Sequence, residues 1–114
     1  MGVLHMLIDF NTYKEMTFPG MNQGTGTMTA KMFMNEKGKI IHTAIHPGGS
    51  IGSHKHTTSD DINYVLAGNG KAYCDDEEEL LNPGCCHICP KGSTHAIFNT
   101  GNTDLILLTV VVER

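Results

Sequence analysis

The chain has 114 residues, with 12 acidic against 8 basic side chains and a net charge of −4. That length suits one domain with a modest core. The charge balance, with no cluster of Lys or Arg, leaves no electrostatic footprint for nucleic acid or an anionic membrane surface.

The opening stretch MGVLHMLIDF has an apolar run interrupted by His5 and Asp9, with no basic start and no small-residue cleavage site, so a signal peptide is not expected. Met6 stands where N-myristoylation after Gly2 would need Ser or Thr, and no stretch approaches membrane-spanning length. A cytoplasmic location follows, with Cys74, Cys85, Cys86 and Cys89 reduced. Residues 1–27 read as an N-terminal arm of a single domain, 1–114.

From Met28 the run MTAKMFMN alternates, with Met28, Ala30, Met32 and Met34 on one face and Thr29, Lys31 and Phe33 on the other. Methionine is a common core gap-filler, so this row is read as a core face. NEKGK reads as a hairpin turn into a second strand, IIHTAIH. INYVLAG and KAYC read as a further pair around GNG. The acids Asp75 to Glu79 repel one another and read as a solvated turn. CCHIC ends at Pro90, and DLILLTVVV closes the pattern. That last run is apolar on both parities, as in a strand covered on both faces by the fold or by a partner subunit. Short strands between glycine-rich turns, with no helical stripe, predict an all-β sandwich or closed barrel. The two-sided final strand and the methionine strand together predict a homodimer.

Chemistry concentrates in HKHTTSDDINYVLAG. Alternate residues of a strand face the same side, so His54 and His56 project into one space while Lys55 points away. Downstream, Asp61, Asn63 and Val65 share one face, and Ile62, Tyr64 and Leu66 the other. If Val65 is interior, Asp61 lies inside with it, and Asp60 points outward.

These residues also carry a family resemblance. Gly48, five residues, His54-x-His56, four residues, Asp61, six residues and Gly68 resemble the first motif of the cupins, with aspartate in place of the usual glutamate. Gly84, five residues, Pro90-x-Gly92, two residues, His95, three residues and Asn99 meet every fixed position of the second. The resemblance covers about residues 40–112. It implies a double-stranded β-helix, the jelly-roll barrel of small single-domain cupins, with one divalent transition metal per chain held by His54, His56, Asp61 and His95.

The donor set suits that role on chemical grounds. Three imidazoles and a carboxylate favour Fe, Mn, Ni, Co or Zn, and placed to one side of the ion they leave positions open for water, dioxygen or a chelating substrate. Asp61 is the departure: one methylene fewer retracts the carboxylate by about 1.5 Å, large beside a metal–oxygen bond of about 2.0 to 2.2 Å. Direct ligation, ligation through water, and a site of three histidines alone all stand as readings. His87 alternates with Cys85 and Cys89, a stripe that could hold zinc, although adjacent positions of one straight strand wrap a tetrahedral ion poorly, and buried packing is the preferred reading.

The sequence therefore predicts a small metal-dependent enzyme of dioxygenase, isomerase or lyase type, acting on a small oxygen-bearing ligand such as a carboxylate, diketone, thiol or sugar. Asp61, Asn63, Tyr64 and His42 are its candidate catalytic or pocket groups. A non-catalytic module binding a metal or small molecule is the alternative, and a metal-free dimerisation scaffold is a third reading that the three retained histidines oppose.

Overall fold

A computed structural model describes residues 6–114; residues 1–5, with Gly2 and His5, lie outside the described residues. Ten strands run in chain order: β1 (Met16–Pro19), β2 (Thr27–Asn35), β3 (Gly38–Ile45), β4 (Ser50–Lys55), β5 (Ser59–Ala67), β6 (Gly70–Cys74), β7 (Glu77–Leu81), β8 (Cys86–Cys89), β9 (Thr94–Asn99) and β10 (Leu105–Glu113). They form two sheets, ordered β1-β2-β3-β10-β5-β8 and β4-β9-β6-β7. Every pairing is antiparallel. The all-β jelly-roll expectation is met.

Register across the larger sheet arranges its inner face in rows. Met28, Ile45 and Leu105 form one row, and Ala30, Thr43, Leu107 and Val65 the next. Then come Met32, Ile41, Thr109, Asn63 and His87, and after them Met34, Lys39, Val111, Asp61 and Cys89. The first two rows are almost wholly apolar and join Ala72, Leu81 and Ile97 of the smaller sheet in one buried cluster. Each large side chain in it contributes roughly 1.5 to 3 kcal/mol by leaving water. The last two rows are polar or mixed, and an open barrel end lies over them. The methionine strand divides the same way: Met28 belongs to the core, whereas Met34 is 63% exposed.

Two expectations are corrected. The segments INYVLAG and KAYC are not paired: β5 lies between β10 and β8, while β6 lies between β9 and β7 in the other sheet. Gly68, at φ +86°, turns the chain from one sheet into the other, a left-handed backbone that a side chain would strain. The acidic run is a turn only at Asp75 and Asp76, because Glu77, Glu78 and Glu79 form β7 on the edge of the smaller sheet, paired with Cys74, Tyr73 and Ala72. The sheet edge tolerates these acids because all three side chains reach water.

The final apolar strand is central. β10 pairs with both β3 and β5, burying Leu105, Leu107 and Thr109 inward and leaving Ile106, Leu108 and Val110 half-buried outside. Near the N-terminus, β1 extends the larger sheet beside β2, and a single 3-10 turn, Met21–Gln23, follows it. That turn packs on β4 at Gly52, where the Asn22 carbonyl occupies the space a side chain would need.

Candidate metal centre

The two sheets meet at four donors. His54 on β4 stands opposite His95 on β9, with a register irregularity between Ile51 and His54. His56 follows just past the end of β4, and its backbone N–H donates to the Ser93 carbonyl. The three Nε2 atoms converge: His54 to His56 is 3.1 Å, His56 to His95 is 3.0 Å, and His95 to His54 is 3.2 Å. Asp61 arrives from β5 in the facing sheet, its Oδ2 3.1 Å from His95 Nε2 and 3.3 Å from His56 Nε2. Among the described residues this is the only group of three or more His, Cys, Asp or Glu side chains that could hold a metal ion.

Hydrogen-bond partners assign the tautomers. His54 Nδ1 faces the Gly52 carbonyl at 2.8 Å, an acceptor only, so Nδ1 carries the proton and Nε2 a bare lone pair. Behind His95 the same logic takes two steps. His87 Nδ1 lies 2.6 Å from Glu79 Oε1 and therefore donates; its Nε2, 2.9 Å from His95 Nδ1, then accepts. His95 consequently also presents an unprotonated Nε2. With neutral rings, two lone pairs point at each other across 3.2 Å, and no hydrogen between them can relieve that. A cation can.

The separations fit one. Donors about 2.1 Å from a common ion lie about 3.0 Å apart at adjacent corners of an octahedron and about 3.4 Å apart in a tetrahedron. The Nε2 triangle and the His95–Asp61 contact lie near the octahedral edge, and the His56–Asp61 contact of 3.3 Å falls between the two geometries. His54 and Asp61 are the more widely separated pair, still within 4.8 Å, as opposite corners would be. Four donors so placed leave two adjacent corners free.

Electrostatics keep the donors in their ligating forms. Burial lowers the pKa of His56 and of His95 below the usual 6.5, Asp61 opposing the effect in both and neighbouring imidazoles adding to it. For Asp61, burial works against ionisation, but the neighbouring His95 and His56 rings, favourable to the anion whenever they are protonated, and the Asn63 amide outweigh it and hold the carboxyl below 3.8. A chain of hydrogen bonds orients this carboxylate. Asn63 Nδ2 donates to Asp61 Oδ2 at 3.2 Å, Thr109 Oγ1 donates to Asn63 Oδ1 at 2.9 Å, and Thr43 Oγ1 lies 3.1 Å from Thr109 Oγ1.

A cavity of about 350 Å³ opens beside the donors, its apolar wall including Phe18, Met21, Met32 and Ile41, with Lys39 also lining it. A cupin domain model matches residues 41–111. The chain is a cupin. Among its relatives, an oxalate-binding protein of Thermotoga maritima is 33% identical over 86 residues, covering 75% of this chain and 71% of that protein. An uncharacterized protein of Methanocaldococcus jannaschii is 30% identical over 95 residues, covering 68% and 76%. The crystal structure of a predicted oxalate decarboxylase from T. maritima superposes with a TM-score of 0.90 at 26% identity, covering 96% of this cupin and 100% of that chain.

The cupin brings together His54, His56, Asp61 and His95, with Asn63 beside Asp61. It does not bring Tyr64 or His42 to the cavity. Tyr64 is 42% exposed on the outer face of β5, and the His42 ring lies 6.4 Å from Phe10 outside β3, because both have the outward parity of their strands. Asp60 also points away, accepting from the Lys91 N–H at 2.8 Å. Cys85 and Cys89 pack inward as expected, and burial pushes the Cys89 thiol up to about 12, the opposite of what a nucleophile needs. His87 and Glu79 were not foreseen as partners of His95; the inward stripe of β8 signalled the burial of His87, but nothing local in the acidic run singled out Glu79.

Proposed function

We propose that this cupin holds one divalent transition metal on His54, His56, Asp61 and His95, and that it is a small metal-dependent enzyme for a low-molecular-weight, oxygen-bearing ligand. The observation that carries the reading is the pair of opposed lone pairs on His54 and His95, an arrangement a Lewis acid relieves. The bound metal would supply Lewis acidity or oxygen activation at two adjacent open positions. The chain's own residues do the rest. Asn63 and Thr109 hold the Asp61 carboxylate in place, Gly52 and the His87–Glu79 pair fix the imidazole tautomers, and the apolar wall limits water.

The oxalate-binding relative supports a small carboxylate as ligand, and because that protein is named for binding, it favours a second reading as a non-catalytic binding module. Elemental analysis of purified protein tests the shared premise: about one metal per chain in the wild type, and none in the His54→Ala, His56→Ala double variant. Carbon dioxide release from oxalate then separates the readings, since a binding module takes up oxalate and releases none.

A homodimer also belongs to this proposal. Tyr64, Leu66 and Ile88 are exposed on the outer face of the larger sheet, beside the half-buried Ile106 and Leu108, and a second subunit would cover them. Light scattering that gives a monomer at micromolar concentration removes it. The four unbridged cysteines fit the reducing cytoplasm.

A further inference from the structure

Lys39 stands in the same row of the larger sheet as Asp61, with Val111 of β10 between them. It is half-buried and lines the cavity beside the four donors. Apart from the histidines, Lys39 and Asp61 are the only ionisable residues on the cavity wall among the described residues, and most of the remainder is apolar. The charge count is short. Lys39 and Asp61 cancel, so with neutral imidazoles the cavity charge equals that of the ion it receives, and a divalent metal gives two positive charges in a low-dielectric chamber.

An uncharged sugar or diketone leaves both charges uncompensated, a monoanion leaves one, and a dianion leaves none. Desolvating unbalanced charge is costly, so this chamber discriminates by charge as much as by shape. A metal held by these four donors would leave room for a chelating group on the cavity side, and a second charged group of the ligand would be met by the ammonium.

We infer that Lys39 is a specificity-determining residue that selects small dicarboxylate dianions over monocarboxylates and neutral chelators at the metal centre. The inference rests on the metal reading above and adds to it the charge of the ligand and the residue that reads it. Lys39 takes this role because it is the one ammonium on the wall, held at the barrel mouth on a rigid strand. It is a binding residue that coordinates no metal, although its charge is among those that lower the His56 pKa.

The test is calorimetric titration of Mn(II)-loaded protein with oxalate, malonate and acetate, comparing wild type with Lys39→Met and Lys39→Arg. Lys39→Met keeps an unbranched stem of similar length at a half-exposed site, so it should fold as wild type and bind Mn(II) at least as tightly, one nearby positive charge having been removed. Its oxalate and malonate affinities should fall by about tenfold or more, the scale of losing one charge-assisted hydrogen bond, while acetate affinity changes less than about threefold. Lys39→Arg should retain most of the dianion preference. Equal oxalate affinity in wild type and Lys39→Met, with Mn(II) bound in both, overturns the role of Lys39 and leaves the metal reading intact. A wild-type protein that takes up none of Mn(II), Fe(II), Co(II), Ni(II) or Zn(II) overturns both.

Discussion

His87 stands directly behind His95, its Nε2 2.9 Å from Nδ1 of that ring, and hands the contact on to Glu79 Oε1 at 2.6 Å. His87 is fully buried while Glu79 is about half-exposed, so a hydrogen-bonded line joins the interior to the edge of the smaller sheet. The line also bridges the sheets, since His87 lies on β8 and His95 on β9.

His87→Phe should therefore lower metal affinity about 10- to 100-fold, the usual cost of removing the partner that orients a ligating imidazole. His87→Gln, whose amide oxygen can still accept from His95 Nδ1–H, should recover part of the loss. Competition against a zinc chelator measures both, and nitrogen-15 NMR of the imidazoles in metal-free protein should find His95 protonated at Nδ1 in wild type but not fixed there in His87→Phe. Unchanged affinity in His87→Phe would separate this histidine from the site.

Asp61 already reaches the imidazole cluster, because its Oδ2 lies as near to two Nε2 atoms as those atoms lie to one another. Restoring glutamate should overfill the site. Metal affinity is expected to fall in the order wild type, Asp61→Glu, Asp61→Asn, the asparagine keeping shape while removing the anion. Tighter binding by Asp61→Glu would mean that the aspartate stops short of the ion.

Asp60 serves the loop between β8 and β9. Its Oδ1 accepts from Lys91 N–H and its Oδ2 lies 3.2 Å from Arg114 Nε. Asp60→Asn should cost about 1 kcal/mol of stability, the scale of one ordinary hydrogen bond, and leave metal affinity within about twofold of wild type, the width of an ordinary surface substitution. Denaturant melts and metal titration together check this. Loss of metal with stability intact would move the carboxylate assignment by one residue.

Metal-free protein should lose stability on acidification in two stages. His56 and His95 have folded pKa values below 6.5, chiefly through burial, so below 6.5 the unfolded chain binds protons that the folded one refuses, and stability falls with pH until the folded values are passed. Asp61, held below 3.8 against its burial, contributes stability that is present above 3.8 and disappears as pH drops through its folded value. Thermal melts in chelator from pH 7.5 to 3 should trace this profile, and a flat midpoint between 7 and 5 would contradict the histidine stage.

The inner face of β5 was legible because period-two alternation is strict: placing Val65 inside places Asn63 and Asp61 there too, and all three are buried. The same parity set Tyr64 outside, and only the appeal of its hydroxyl had kept it among the pocket groups. The pairing of β5 was not legible, since its neighbour β10 begins about forty residues downstream and no turn chemistry advertises so distant a partner. GNG looks like a hairpin turn, yet Gly68 there redirects the chain between sheets. Phe18 and Met21 escaped notice for a related reason: residues read as an arm reach the cavity only through β1 pairing with β2 and the turn packed at Gly52. Glu79 sat in a run whose composition says solvent, and only a contact across eight residues of chain makes it part of the centre.

The position of β10 bears on how the molecule is made. The smaller sheet, with His54 and His95, ends by Asn99, whereas the larger one has a gap between β3 and β5 that only residues 105–113 can fill. During synthesis three imidazoles are therefore available before Asp61's strand has its second neighbour, and one edge each of β3 and β5 waits unpaired until the last strand emerges. Such long-range closure makes folding slow and leaves an adhesive intermediate on the ribosome. A metal ion taken up early by these donors would knit β4 and β9 to β5 while the gap beside them is still open.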